Sequence, residues 1–165
     1  MQYNSLPSIP TFMSDLILLE DIVLPYNVIQ EIHATDFPPT PVNVDLEHNL
    51  IKTLTNTSFR VNSTIVFLNL NDNPIVDISP EVFKKLPALK ELRLQKSKLT
   101  RLPLKFPALT SLYFVDLTNS TELVCTCAEK SLESWVKSLS PANVVGSCGD
   151  TSIYAFFVTL SPACP

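Results

Sequence analysis

Four cysteines are the residues of this chain with the clearest chemistry, and all lie in its last quarter, at Cys125, Cys127, Cys148 and Cys164. Four cysteines can form two disulfides, with three possible pairings, or one complete tetrahedral zinc site. The Cys-x-Cys spacing of the first two is shorter than the usual spacing of about two to four residues between zinc ligands. We therefore predict disulfides and no metal.

Three Asn-x-Ser/Thr sequons, at Asn56, Asn62 and Asn119, are candidate glycosylation sites. Each triplet is common by chance and is weak evidence alone. Together with an even set of cysteines they favour a secreted or cell-surface protein, because disulfides persist in oxidising compartments. The longest apolar runs are far below the roughly 20 residues that cross a bilayer, so a membrane is expected only through segments outside this sequence.

Catalytic chemistry has little support in this sequence. Its only histidines, His33 and His48, lie at different positions of the repeat described below, so nothing predicts that they converge with a serine, a carboxylate or a metal. We expect two solvated histidines. Only two glycines occur, so there is no glycine-rich phosphate loop, and the acidic pI of about 5.1 argues against nucleic acid as a partner. We predict no enzymatic activity and no cofactor.

A repeat of about 24 residues organises the chain that precedes the cysteines. Segments 44–54, 68–78 and 92–102 align at shifts of 24 residues, which places Leu46, Leu70 and Leu94 in one column. Such periods are typical of solenoids. Repeats are predicted to start near residues 19, 41, 65, 89 and 112 within a region 1–122, after a partial repeat at 1–18 and before a cysteine-rich cap at 123–165.

Each copy changes its apolar period halfway. Leucines two apart predict a short strand, and later apolar residues three apart predict a return path that fills the core from the other side. Asn27, Asn49 and Asn73 hold the turn between the two halves. Ser97 replaces asparagine in the fourth copy, and the fifth is aligned with an extra residue around 119–121, so a less regular turn is expected there.

Residues 3 to about 127 resemble the leucine-rich repeat family, with the pattern LxxLxLxxNxIxxLxxxxFxxL of its extracellular members. The resemblance implies an α/β solenoid, a right-handed superhelix shaped as a horseshoe arc, with a parallel β-sheet on its concave face. The cysteine region resembles the disulfide-bonded C-terminal cap of that family, which implies the pairs Cys125 with Cys148 and Cys127 with Cys164. A short cap helix is predicted with one apolar face, formed by Leu132, Trp135, Val136 and Leu139.

The chain begins inside a repeat, because residues 3–9 align with residues 26–32. The cysteine-rich N-terminal cap of the resembled family has no counterpart here. The expectation is therefore a fragment of a larger protein.

The repeat register assigns the side chains that point outward from the concave strands. Two large apolar groups, Phe67 and Phe114, are unexpected there, and aromatic and arginine side chains are enriched at binding hot spots. Each ring could also be a lone exposed ring, and Phe114 could be covered by the cap. The predicted ligand-binding residues of the concave face are Asp45, Glu47, Phe67, Asn69, Asn71, Arg93, Gln95, Phe114 and Asp116.

Charge is unevenly distributed along the solenoid. Residues 1–83 carry two Lys/Arg and ten Asp/Glu, whereas residues 84–105 carry eight Lys/Arg and one Glu. The basic residues surround one coil, so they cannot all face a single partner. A solvated basic coil is expected, and a sulfated glycan or another ligand of complementary charge is the alternative.

These observations predict a non-enzymatic extracellular protein-binding module, a fragment of a receptor ectodomain or a secreted recognition protein. Its partner is expected to be a protein ligand or co-receptor, bound through the concave face. The alternative is a structural or adhesive matrix-type protein that acts through self-association, as a homodimer, or through glycan binding. The sequence does not identify the ligand, because a shared fold does not specify a function.

Overall fold

The computed structural model of the chain describes residues 3–160 and 164, so the first two residues of the partial repeat and residues 161–163 and 165 of the cap lie outside the described residues. Its main element is a six-stranded sheet in which all neighbours are parallel. Among the described residues, the ten strands are β1 Asp21–Val23, β2 Asn43–Asp45, β3 Thr53–Leu54, β4 Phe67–Asn69, β5 Asp77–Ile78, β6 Glu91–Arg93, β7 Phe114–Asp116, β8 Val144–Val145, β9 Ser147–Cys148 and β10 Thr151–Ser152. The order of the strands in the main sheet is β1-β2-β4-β6-β7-β8.

The repeats form successive coils of a solenoid. The first five strands of the main sheet each begin two residues after a repeat start suggested by the sequence. Short elements connect them on the opposite side, where β3 and β5 form a second parallel pair. The helical segments in this part of the chain are 3-10 turns at Thr11–Asp15, Ala34–Asp36 and Phe106–Ala108 and one helix, α1, at Pro80–Lys84.

The core lies between the main sheet and the return paths. Leu46, Leu70 and Leu94 are completely buried, as the alignment of the repeats predicts. Phenylalanines fill the side away from the sheet: the rings of Phe37 and Phe59 have centroids 5.8 Å apart. The described core residues form one apolar cluster that continues through all coils, so each coil is buried by its neighbours.

The turn asparagines form a ladder of buried hydrogen bonds between coils. Asn73 Oδ1 accepts from the Ile51 amide at 3.0 Å, and its Nδ2 donates to the Leu46 carbonyl at 2.9 Å. Asn49 repeats the arrangement one coil earlier, accepting from the Ile29 amide at 3.0 Å. Each asparagine therefore satisfies backbone groups that the turn would otherwise leave buried without partners.

Serine continues this ladder where asparagine is missing. Ser97 and Ser120 are both buried, and their hydroxyl oxygens lie 2.9 Å apart. The hydroxyl of Ser120 also donates to the Leu94 carbonyl at 3.3 Å. β6 and β7 pair with the same 23-residue offset, so the fourth coil is one residue shorter than the third. Buried Leu99 and Leu123 are 24 residues apart, so the fifth copy has its extra residue between Ser120 and Leu123.

The residue that precedes each turn position has a left-handed backbone, with φ between 51° and 60°, although none is glycine. Such a conformation costs an L-residue about 1–2 kcal/mol, so its repetition shows how strongly the coil geometry determines the turn. These residues are Tyr3, Tyr26, His48, Asp72, Lys96 and Asn119.

The cap covers the last coil and is closed by two disulfides, Cys125–Cys148 and Cys127–Cys164, which confirms the pairing implied by the family resemblance. A 3-10 segment, Cys127–Leu132, leads into α2, Glu133–Ser138, and the chain then forms α3, Ile153–Ala155, and a π-type turn, Phe156–Leu160. Two residues of the predicted apolar face, Leu132 and Val136, are fully buried. The Trp135 ring lies 5.3 Å from that of Phe106, so the predicted face does cover the core.

The cap also contributes the sixth strand of the main sheet, which the sequence analysis did not predict. β8 pairs with β7 in parallel, and the Leu117 amide donates to the Val145 carbonyl at 2.8 Å. Gly146, at φ +130°, allows the next bend, because a Cβ there would lie 2.9 Å from the Leu117 carbonyl carbon. In the part of the chain that the structure describes, no helix has the length and apolar character that a membrane span requires.

One charged pair joins the cap to the fourth coil. The Glu129 side chain is 2% exposed, and its Oε1 accepts from Arg101 Nε at 2.5 Å. Its other oxygen accepts from the Thr126 amide at 2.7 Å and so closes the first turn of the cap. Arg101 therefore compensates a carboxylate that water does not reach.

Replacing Asn73 by alanine is expected to lower the free energy of unfolding by about 2–3 kcal/mol, because the Ile51 amide and nearby carbonyls lose their buried partner. Urea titration followed by circular dichroism measures the change. The control is Asn43→Ala, at an exposed strand position, which should stay within about 0.5 kcal/mol of the parent. Equal losses in the two variants would contradict the importance of the ladder.

Replacing Arg101 by methionine should cost about 3 kcal/mol, because it leaves the Glu129 carboxylate buried without its cation. Lys98→Met is the matched control on the same coil, since Lys98 pairs with Glu122 at 3.0 Å and both side chains are about half exposed. That loss should remain below about 1 kcal/mol. Thermal unfolding of both variants is the measurement, and a Lys98 effect as large as the Arg101 effect would refute the argument.

Candidate binding surface

The concave face consists of three columns of side chains that cross the sheet, because strands in register place equivalent residues side by side. The third column follows the strands by two residues and faces the same side. The columns are Asp21, Asn43, Phe67, Glu91 and Phe114; then Val23, Asp45, Asn69, Arg93 and Asp116; then Pro25, Glu47, Asn71, Gln95 and Thr118.

Hydrogen bonds between side chains connect neighbouring strands on this face. Asn43 Nδ2 donates to Asp21 Oδ1 at 2.6 Å, and Asn69 Nδ2 donates to Asp45 Oδ1 at 3.1 Å. Asp45 Oδ1 also accepts from the Glu47 amide at 3.0 Å, which holds the carboxylate in one orientation. The first column is thus fixed between β1 and β2, and the second between β2 and β4.

The same pattern continues toward the cap. Asn71 Oδ1 accepts from the Gln95 amide at 2.8 Å, and Gln95 Nε2 donates to Asp116 Oδ2 at 2.5 Å. Asp116 Oδ1 accepts from the Thr118 amide at 2.9 Å, as Asp45 does from Glu47. The face is therefore a preorganised network of polar side chains.

An outward direction does not make all of these positions accessible, and the expectation of a solvent-facing array needs correction. Asn69 and Asn71 are each 5% exposed and Asp116 is 7% exposed, because the adjacent strands and the hydrogen-bonded neighbours cover them. Six of the nine predicted ligand-binding residues are half-buried and still reach the surface. They are Asp45, Glu47, Phe67, Arg93, Gln95 and Phe114.

Arg93 covers Phe67 near the centre of the face. The guanidinium carbon lies 5.3 Å from the centre of the ring, a cation–π distance, and Nε donates to Glu91 Oε1 at 2.6 Å. Phe67 is therefore neither a lone exposed ring nor a core residue. The structure brings these predicted residues together in one aromatic and ionic cluster.

A second row of side chains, which we call the rim, follows the left-handed turn residues at the ends of the strands. The rings of Tyr3 and Tyr26 stack at 4.6 Å, and those of Tyr26 and His48 at 4.4 Å. His48 Nε2 lies 3.7 Å from Asp72 Oδ2, and Lys96 Nζ lies 2.5 Å from Asp72 Oδ1. The sequence analysis missed the rim, although two tyrosines in the same repeat position were a signal for it.

His48 therefore differs from the solvated histidine that the sequence predicts. It is half-buried, and its ring nitrogen approaches carboxylates of Glu47 and Asp72, with one ligand atom from each of the three residues within 4.8 Å of the others. The ammonium of Lys96 already neutralises Asp72, and this hydrogen bond raises the pKa of Lys96. Such a cation competes with a metal ion, so the cluster supports no metal assignment.

Partial burial and the nearby carboxylates also affect Tyr26. Desolvation raises the pKa of Tyr26 above its usual value, with smaller contributions from Tyr3, Glu47 and Asp72. The phenol is thus a neutral hydrogen-bonding group at physiological pH. His33 lies on a return path, where its side chain is 52% exposed and 3.5 Å from Glu31.

The basic coil is largely satisfied by the protein itself. Six of its eight Lys/Arg side chains contact a carboxylate or a backbone carbonyl. The partners are Glu81 for Lys84, the Asn56 carbonyl for Lys85, Glu91 for Arg93, Asp72 for Lys96, Glu122 for Lys98 and Glu129 for Arg101. The contacts lie on different sides of the coil, so they do not form one anion-binding patch.

A shallow cleft of about 400 Å³ lies between the last repeat strand and the cap. Among the described residues that line it are Thr118, Val145 and Tyr154, and the lining contains no carboxylate and no histidine. It therefore lacks the paired titratable groups that acid–base catalysis requires.

The three sequon asparagines, Asn56, Asn62 and Asn119, are all exposed. Asn56 and Asn62 lie on the return path of one coil, away from the concave face. Asn119 is the last residue of the rim and has φ of 60°. Glycans at Asn56 and Asn62 would therefore lie on the return path and not on the concave face.

Comparison with known proteins agrees with this architecture. A family model for the leucine-rich repeat matches residues 63–121. Human epiphycan is 35% identical over 92 residues, a region that is 53% of this chain but only 28% of epiphycan.

A solved octameric complex of Latrophilin 3 (Lec, Olf), Unc5D (Ig, Ig2, TSP1) and FLRT2 (LRR) includes a chain that aligns with 94% of this one. The alignment covers 86% of that chain at 14% identity, with a TM-score of 0.27.

The coils, the parallel sheet and the asparagine ladder define a solenoid with a disulfide-bonded cap. Residues 63–121 of the chain therefore match leucine-rich repeats.

Proposed function

We propose that this chain is a non-enzymatic recognition module of an extracellular protein and that it binds a protein ligand or co-receptor through its concave face. The observation that carries the proposal is the Phe67–Arg93–Glu91 cluster, held near the middle of a rigid sheet. Aromatic and arginine side chains in such central positions dominate the energy of protein interfaces.

Preorganisation supports the same function. The polar side chains of the face are already oriented by hydrogen bonds across β1, β2 and β4 and across β6 and β7. Binding to such a surface loses little side-chain entropy, so more of the interaction energy appears as affinity. Two disulfides favour the extracellular setting.

Self-association is the second candidate function. Ile17 and Leu18 precede β1 at the first coil, and they are 66% and 88% exposed. Adjacent exposed apolar side chains favour contact with another protein surface, which a second copy of the chain would provide. Glycan binding by the basic coil receives less support, because most of its cations are already paired within the chain.

Replacing both Phe67 and Arg93 by alanine should weaken binding of a cell-surface protein by at least about 100-fold, as hot-spot truncation does. Val61→Ala with Lys105→Ala is the control, because both residues lie on return paths and Val61 is 71% exposed. Binding is measured with the oxidised chain immobilised against ectodomains captured from cells. Capture that is equal for both double variants would contradict a concave binding site.

Sedimentation equilibrium of the same variants separates the two candidates. A monomer that loses its partner only in the concave variant supports ligand recognition. A dimer that persists in that variant and dissociates when Ile17 and Leu18 are changed to serine supports self-association through the first coil.

The proposed location predicts glycosylation. Expression through the secretory pathway of animal cells should give a product that loses mass with peptide N-glycosidase, because all three sequon asparagines are exposed. Single Asn→Gln changes at Asn56, Asn62 and Asn119, analysed by mass spectrometry, assign the occupied sites. A secreted, folded product without any N-glycan would contradict this prediction.

A further inference from the structure

Most carboxylates of the concave face accept hydrogen bonds from neutral amide side chains and are not paired with cations. Asp21 is bound by the Asn43 amide at 2.6 Å, and Asp116 by the Gln95 amide at 2.5 Å. Asn69 donates to Asp45 at 3.1 Å and to Glu47 at 3.4 Å. Within residues 3–160 and 164, none of these four acids forms a salt bridge in the structure. An amide orients a carboxylate without neutralising it. Asp21, Asp45 and Glu47 therefore form an acidic strip of fixed geometry at β1 and β2, whereas Asp116 is a buried acid on β7.

Two cations of the chain itself show which groups this surface accommodates. The guanidinium of Arg93 lies over Phe67 and pairs with Glu91 at 2.6 Å. The ammonium of Lys96 pairs with Asp72 at 2.5 Å, beside the tyrosine–histidine stack. Both types of basic side chain thus already bind between carboxylates and rings on or beside the face.

We infer that the concave face recognises a basic segment of a protein, whose lysine and arginine side chains pair with the accessible acids Asp21, Asp45 and Glu47. This inference rests on the proposed function and specifies the partner of the same surface. Charge complementarity supports the inference, since the carboxylates that accept from amides remain negatively charged. Arg93 does not neutralise them, because it is paired with Glu91. The net charge of −4 further favours the approach of a basic partner.

The experiment uses the oxidised chain and two 12-residue probe peptides, one of alternating lysine and serine and one of alternating glutamate and serine. Fluorescence anisotropy measures their binding at about 20 and about 150 mM NaCl. The lysine peptide should bind at low salt and weaken as salt is added, because added salt screens the attraction between exposed charges. The glutamate peptide should not bind.

Matched charge variants locate the binding. Asp45→Asn with Glu47→Gln removes two charges from the strip and keeps the size of both side chains. The asparagine at position 45 also retains a side-chain oxygen that can accept from the backbone amide of residue 47. Glu31→Gln with Asp77→Asn removes two charges from exposed return-path positions. The first pair should weaken binding about five- to twenty-fold, and the second should change it less than about two-fold.

Equal weakening by the two variant pairs would overturn the inference, because the peptide would then respond only to net charge. Unchanged binding by the Asp45 and Glu47 variant, or binding of the glutamate peptide, would overturn it as well. A protein captured through Phe67 and Arg93 with no dependence on salt would leave the proposed function intact and refute the basic partner. Capture that is equal for both double variants, together with the expected peptide results, would refute the proposed function and retain the chemistry of the strip.

Discussion

The structure depends on the burial of each coil against the next one. A single coil has an apolar side that faces its neighbour, and Leu46, Leu70 and Leu94 are fully buried only because successive coils stack in register. That stacking also brings backbone groups of each turn into the interior. The ladder through Asn49 and Asn73 removes the desolvation penalty of burying these backbone groups, because it gives them hydrogen-bond partners in the absence of water.

Stacking in register has a direct consequence for the other side of the sheet. Parallel strands separated by about 4.8 Å place equivalent side chains next to each other, so every outward residue has two fixed neighbours. The chain uses this proximity to connect Asn69 with Asp45 and Gln95 with Asp116. The concave face is rigid because the core on the other side of the same strands is rigid.

The sequence predicted what periodic burial requires. The apolar columns, the turn asparagines and the cap helix face of Leu132 and Val136 follow from spacing, and the structure agrees with them. The contact between Ser97 and Ser120 was not predicted, since a column of asparagines does not indicate that hydroxyl groups can continue the ladder. β8 was not predictable because two residues carry no period.

The candidate site was predictable in position but not in accessibility. Register places Asn69 on the outward side, but only the packing of its neighbours shows that it is 5% exposed. The stack of Tyr26 and His48 could not be predicted from spacing alone, because it depends on the left-handed backbone that places these turn residues side by side. Periodicity determines the direction of a side chain, whereas contacts with neighbouring strands determine what the side chain can bind.

The order of residues within the columns explains how one face can carry many acids. Charges of the same sign directly opposite each other destabilise a sheet, and no two carboxylates are register neighbours in the paired strands. Asp45 has Val23 and Asn69 beside it, and Glu91 lies between Phe67 and Phe114. Because amides, rings and one arginine separate the acids, the face retains net negative charge without strong internal repulsion. A partner with cations at matching separations would pair with these acids individually.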